Sequence, residues 1–326
     1  MAENRLPEPL LGRRKVRQYA NGVIQRARRV RTPQLEFPFA PPPIPQGVEP
    51  LAANDGLGGD YDASWARRPG AQIARSAIVE TLLRPTIAAV ARPDRIGYER
   101  LATLSPKQNA IFVANHHSHL DTSLLLTSIP HAWRRRLTVA AASELFFQNR
   151  TRATISALAI GAFPLDRTKT GRSAADQAAD IIDEGNCLLI FPEGGRSPDG
   201  WGQPFKGGAA YLALRCNVPV VPVYLAGTGR VWRKGQSLPT PARTTVIFGD
   251  PIWAVEGDKT RRLNARIEAA VASLGDELAT DWWQARKRFH ADGPPTLEGP
   301  DASSWRRAWA LGARSARDHR TPRWPR

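Results

Sequence analysis

From Ala110 onward, short apolar runs alternate with helical stretches, and that alternation limits the fold more than any other feature. Residues 110–114, 137–141, 187–191, 220–225 and 244–248 have the length and apolar content of buried strands. Between them, Leu120–Ile129 reads as a helix stopped by Pro130, and Glu144–Ala159 as another. Ser173–Glu184, ended by Gly185, Gly208–Cys216 and the amphipathic Lys259–Leu278 complete the helices. Strands alternating with helices predict an α/β domain: a mostly parallel central sheet flanked by helices. Pro222, inside the fourth strand, predicts an edge or irregular position there. In such sheets chemistry gathers at strand ends, so the turns after the strands are where functional residues are sought.

The two ends of the chain read differently. The formal charge is +16, and it is unevenly placed. Residues 1–32 carry nine Lys/Arg and two acids, residues 282–326 carry ten and four, and the body between them is close to neutral. Seven prolines fall between Pro33 and Pro50, which suits an extended linker and excludes a helix. The expected organisation is a basic, Pro-rich, largely disordered extension over 1–73, a catalytic-type domain over 74–281, and a basic tail over 282–326 holding five of the ten tryptophans.

No apolar stretch of signal-peptide length precedes the first charges. The most apolar early segment, Ala77–Ala91, is interrupted by Glu80, Arg84 and Pro85 and falls short of the roughly 20 residues of a spanning helix. A cytoplasmic protein, peripheral on the inner face of the cell membrane, is the expectation. The two cysteines, Cys187 and Cys216, are too few for a disulfide framework or a four-cysteine zinc site and read as packing residues.

The first chemical signal, Asn115-His116-His117-Ser118-His119-Leu120-Asp121, directly follows a strand. Ser118 with Asp121 fits a helix start, in which Asp121 is only a cap. The same spacing lets Asp121, in the first helical turn, fold back on His116. A carboxylate on one ring nitrogen fixes the tautomer and leaves the other free as a base. The pattern His117-x-His119-x-Asp121 also suggests a metal site, but the continuing His is replaced by Thr122, so no metal is expected. Two further turns each carry an Arg beside flexible backbone: Gly161–Arg167, with Asp166 and Arg167, and Phe191–Ser197, with Glu193, Gly194 and Arg196. The planar guanidinium suits a phosphate, although Asp166 with Arg167 and Glu193 with Arg196 could equally be surface ion pairs. Ser197 does not complete a nucleophile elbow, since Asp199 stands where Gly is needed. A fourth stretch, Val218–Val223, follows Phe205-Lys206-Gly207-Gly208 and reads by itself as a core strand.

In order, NHHSHLD, GAFPLDR, FPEGGRS and VPVVPV resemble the four motif blocks of the glycerophospholipid acyltransferase family, whose best-known members are the lysophosphatidic acid acyltransferases. The resemblance covers about residues 95–255. It implies an acyltransferase-type fold and a catalytic pair formed by His116 and Asp121. It also implies substrate contacts from Asn115, Ser118, Asp166, Arg167, Glu193, Gly194, Arg196 and Lys206, with the two arginines near the acceptor phosphate. Gly195 stands where the third block usually has Thr, and Pro164 where the second often has an aliphatic residue. The implied reaction moves an acyl group from acyl-CoA or acyl-carrier protein to a lysophospholipid hydroxyl, most simply that of 1-acylglycerol-3-phosphate. It needs no cofactor beyond the thioester co-substrate. Another lysolipid or glycolipid acceptor, or a lipid-binding relative without activity, is the alternative.

A lipid acceptor gives the ends a use. Trp282, Trp283, Trp305, Trp309 and Trp324 are interleaved with Arg and Lys, a composition suited to an anionic membrane surface. A nucleic-acid arm would use the same residue types, but no nucleic-acid fold motif accompanies them.

Overall fold

The computed structural model describes residues 61–142, 146–165, 172–197 and 200–298. Its centre is a seven-stranded sheet in the order β1-β7-β6-β2-β5-β3-β4. The strands are β1 (Pro93–Ile96), β2 (Ile111–Ala114), β3 (Leu137–Ala142), β4 (Ala162–Leu165), β5 (Cys187–Ile190), β6 (Val220–Ala226) and β7 (Thr244–Phe248). Every neighbouring pair is parallel except β6 with β7. The expected mostly parallel α/β sheet is therefore what forms.

The helices that cover it are α1 (Pro69–Ile78), α2 (Arg84–Ala91), α3 (Asp121–Ser128), α4 (Arg150–Ile160), α5 (Arg172–Asp183), α6 (Gly208–Cys216), α7 (Thr228–Trp232), α8 (Thr260–Ala279) and α9 (Trp282–Asp292). Along β2 the side chains alternate between two apolar layers. Phe112 and Ala114 join Leu124, Leu125 and Val223 on one face, while Ile111 and Val113 join Ala209, Leu263 and Ile267 on the other. Both faces are covered, so all four residues of β2 are buried and the strand is apolar throughout.

Pro222 is not at a sheet edge, because β6 lies between β2 and β7. Its carbonyl accepts from the Gly249 amide at 2.8 Å. A residue's N–H and C=O leave a strand on the same side, so the donor that proline lacks faces the point where β7 has already ended at Phe248. The edge position belongs instead to Pro164, in β4. Within the second expected helix, Glu144–Ala159, α4 begins at Arg150, where Asn149 caps it by accepting from the Arg152 amide at 2.9 Å.

The folded part reaches beyond residues 74–281 at both ends. Ala63 and Ala66 are buried, and the buried Arg75 donates to the carbonyls of Ala66, Ala157 and Leu158. Burial lowers the Arg75 pKa to about 10. At the other end Asp281 caps α9 through the Gln284 amide at 2.8 Å, and Arg288 grips Asp276 of α8 with two hydrogen bonds. Among the described residues, no helix is long and apolar enough to cross a membrane. Residues 1–60 and 299–326, with Trp305, Trp309 and Trp324, lie outside the described residues.

Candidate active site

β2 ends at Ala114, and the chain must turn before α3 begins at Asp121. Asn115 makes the first fixed point. It is fully buried, its amide donates to the Leu225 carbonyl at 3.0 Å, and its oxygen accepts from the Leu225 amide at 2.7 Å. The side chain thus takes the place of a strand partner and ties the end of β2 to β6. Asp121 makes the second. Its Oδ2 accepts from the amides of His117 and Ser118 at 2.7 and 2.8 Å and lies 2.8 Å from His116 Nδ1. The carboxylate is fully buried. The contact with the turn amides and the fold-back onto His116 are thus made by the same oxygen of Asp121.

With the Asp121 carboxylate accepting, Nδ1 carries the proton and Nε2 holds the lone pair. The His116 ring is partly open to solvent and stacks on Phe191, with centroids 4.1 Å apart. Its backbone is held from both sides. The His116 amide donates to Glu193 Oε1 at 2.8 Å, and its carbonyl accepts from the Ser197 amide at 2.7 Å. The third motif block is therefore clamped directly to the first.

Several residues expected to touch substrate have other engagements. Ser118 is fully buried; its hydroxyl donates to the Trp232 carbonyl at 2.7 Å and accepts from the Leu120 amide at 3.1 Å. Asn115 is buried as described above. Glu193 is buried as well, with Oε1 on the His116 amide and Oε2 on the Gln203 amide at 3.1 Å. All three act as braces of the turn rather than as walls of an open site, because burial keeps a substrate away from them. Gly194 has φ +72°, which favours glycine, and a Cβ there would come within 2.6 Å of Lys206 Nζ. The exposed Lys206 side chain thus lies across Gly194.

Arg196 bonds the ring of His119, which packs on Trp232 at 5.2 Å. Desolvation first, then the charges of Arg196 and His116, lower the His119 pKa. His119 is therefore a neutral surface against which a guanidinium can rest. Asp166 and Arg167 lie outside the described residues.

Phe191, Trp232, Ser197 and Gln203 escape the residue-by-residue reading. Phe191 had a signal, an aromatic at the end of a strand and next to a motif. Ser197, Gln203 and the Trp232 carbonyl act on the turn through backbone atoms, which residue identity does not mark.

Residues 95–226 match the family model described as Acyltransferase. This stretch is similar to that family. It spans all four motif blocks. Among curated proteins, the 1-acyl-sn-glycerol-3-phosphate acyltransferase of Limnanthes alba is 33% identical over 157 residues, covering 46% of this chain and 54% of the relative. The alpha form from Bos taurus is 28% identical over 181 residues, covering 54% and 61%. The chain thus spans about half the length of the first of these relatives. In fold it resembles the crystal structure of the 1-acyl-sn-glycerophosphate acyltransferase PlsC from Thermotoga maritima. The TM-score is 0.53 at 24% identity, over 68% of this chain and 84% of that one.

Proposed function

We propose that this protein moves a fatty acyl group from the thioester of acyl-CoA or acyl-carrier protein to the free hydroxyl of 1-acylglycerol-3-phosphate, forming a diacylated phosphatidic acid. The observation that carries the reading is the His116–Asp121 couple at 2.8 Å, in a partly open turn at the end of β2. The activity for which the relatives similar to this region are named supports the acceptor.

In this reading His116 Nε2 takes the proton of the acceptor hydroxyl as its oxygen attacks the thioester carbonyl. Asp121 holds the ring and favours its protonated form. The tetrahedral intermediate collapses, the C–S bond breaks, and the imidazolium returns the proton to the departing thiolate. Atoms and charge balance without a covalent acyl-enzyme, a metal or a further cofactor. A positioned base of this kind supplies roughly 10²–10⁴ in rate. Arg196 and Lys206 flank the same turn, and with Arg167 they are the cations assigned to the acceptor phosphate. Asn115, Ser118 and Glu193 hold the turn in place.

The acceptor lives in a bilayer, so the protein is read as docking on an anionic membrane surface from the cytoplasmic side. Exposed Trp282 and Trp283 support this, each with a cation over its ring: Arg286 at 5.5 Å and Lys287 at 5.4 Å. Mass spectrometry of products from a panel of lyso-acceptors, with long-chain acyl-CoA as donor, tests the assignment. Phosphatidic acid should dominate. Turnover of neutral acceptors alone would replace the phosphate acceptor with another lysolipid.

A further inference from the structure

Glu193 joins two parts of the molecule. One oxygen holds the His116 amide and the other the Gln203 amide. Gln203 belongs to a turn whose preceding residue, the buried Gly202, donates its amide to the Leu297 carbonyl at 2.8 Å. The approach is close: a Cβ on Gly202 would lie 2.4 Å from Leu297 Cβ. Leu297 is half-buried against the apolar layer that contains Phe205 and Leu263. It sits five residues beyond the end of α9, which is fastened to α8 by the Arg288–Asp276 pair. On its other side, the 200–205 turn is held by α8, where Asn264 donates to the Phe205 carbonyl at 2.8 Å.

We propose that residues 293–298 form a strap that positions the catalytic base, with Leu297 clamped on Gly202 so that the Gln203 amide, Glu193 and the His116 backbone keep their register. The proposal rests on the acyl-transfer reading. Leu297 and Gly202 are positioning residues: the path from them to the chemistry runs through Gln203 and Glu193. A glycine is required at 202 because any side chain would displace the strap. A displacement of about 1 Å at a reacting group can cost on the order of 10²-fold in rate, so a contact this far from the base can matter.

The test is a double-mutant cycle on the full chain, read with a short-chain, water-soluble acceptor so that membrane docking does not enter. Gly202→Ala should lower kcat by between about tenfold and a hundredfold, with the acceptor KM changed less than about twofold. Leu297→Gly should lower kcat less, again with KM retained. The two together should match Leu297→Gly alone, because the methyl introduced at position 202 then has no Leu side chain to expel. Additive losses, or an undiminished kcat in both single variants, would overturn the strap. So would losses that fall on KM instead. If Gly202→Ala does not fold, Leu297→Gly and Leu297→Asp carry the test: kcat must fall at constant KM in both. His116→Ala, run alongside, separates the two failures. Activity retained there overturns the base assignment, whereas unaffected strap variants overturn the strap alone.

Discussion

The turn at residues 115–121 and helix α9 use different kinds of residue to different ends. In the turn, Asn115, Ser118 and Asp121 are fully buried, and each has a side-chain atom bound to a backbone amide or carbonyl. In α9, Trp282 and Trp283 are about half exposed and stacked on each other, with Arg286 and Lys287 over their rings. A catalytic base needs one position, and buried polar groups that cannot be satisfied elsewhere enforce it. A docking surface needs reach, and exposed aromatic and basic side chains supply it without fixing a geometry. Substitutions in the first region should therefore change turnover, and those in the second should change where turnover takes place.

The sharpest way to break the comparison is Asp121→Asn. The amide oxygen can keep the three contacts of Oδ2, with the nitrogen at the position of Oδ1, which has no hydrogen-bond partner among the described residues, so the ring keeps its acceptor and loses its counter-charge. Turnover of a soluble acceptor at saturating donor should fall by about 10²–10⁴. Glu193→Gln comes next. One of its two amide partners then meets a donor instead of an acceptor, leaving a buried group unsatisfied at about 1–3 kcal/mol. Chemical denaturation should show that loss, and kcat should fall with it while the acceptor KM holds.

Changing Trp282 and Trp283 together to Ala should give the reverse pattern. Flotation with anionic vesicles should weaken at least about tenfold, because two interfacial aromatics are lost, while soluble-acceptor turnover stays within about twofold. Raising salt should weaken the remaining basic attraction further. Equal vesicle binding by the variant would remove α9 as an anchor. Removing residues 282–326 outright would confound the two effects, since it takes away Leu297 as well as the tryptophans.

The smallest effect concerns His119. Its pKa is held below the ordinary 6.5, so the folded state favours the neutral ring. That contribution is present above the ordinary pKa and is lost as pH falls through the lowered one. His119→Phe should leave the Tm at pH 8 unchanged and remove part of its decline on acidification through about pH 6.5. An identical decline in both proteins would show that burial and the neighbouring charges do not lower the His119 pKa in solution.

The interior strands β2, β3, β5, β6 and β7 were legible because burial on both faces makes them continuous apolar runs. The two edge strands were not. Pro93–Ile96 carries Asp94 and Arg95, and Ala162–Leu165 contains Pro164, so neither has a strand signature. Helices α1 and α2 were hidden by Arg84 and Pro85, which mark a break in sequence. In the structure a single π turn, Val79–Leu83, joins the two helices, and Arg84 and Pro85 form the first turn of α2, where a proline is tolerated. At the site, His116 and Asp121 were legible because their spacing fixes their meeting. Asn115, Ser118 and Glu193 were picked out by motif, but their brace role depends on Leu225, Trp232 and Gln203, which are distant in sequence and take part through backbone atoms.

The account depends most on His116 as the base, and single-turnover kinetics of His116→Ala against the unaltered protein tests that most directly. Both would be presented with the same long-chain acyl-CoA and a water-soluble 1-acylglycerol-3-phosphate analogue, with folding checked by circular dichroism. Acyl transfer should drop by at least about 10²-fold in a variant that remains folded. A folded His116→Ala protein that transfers acyl groups at an undiminished rate would contradict the account.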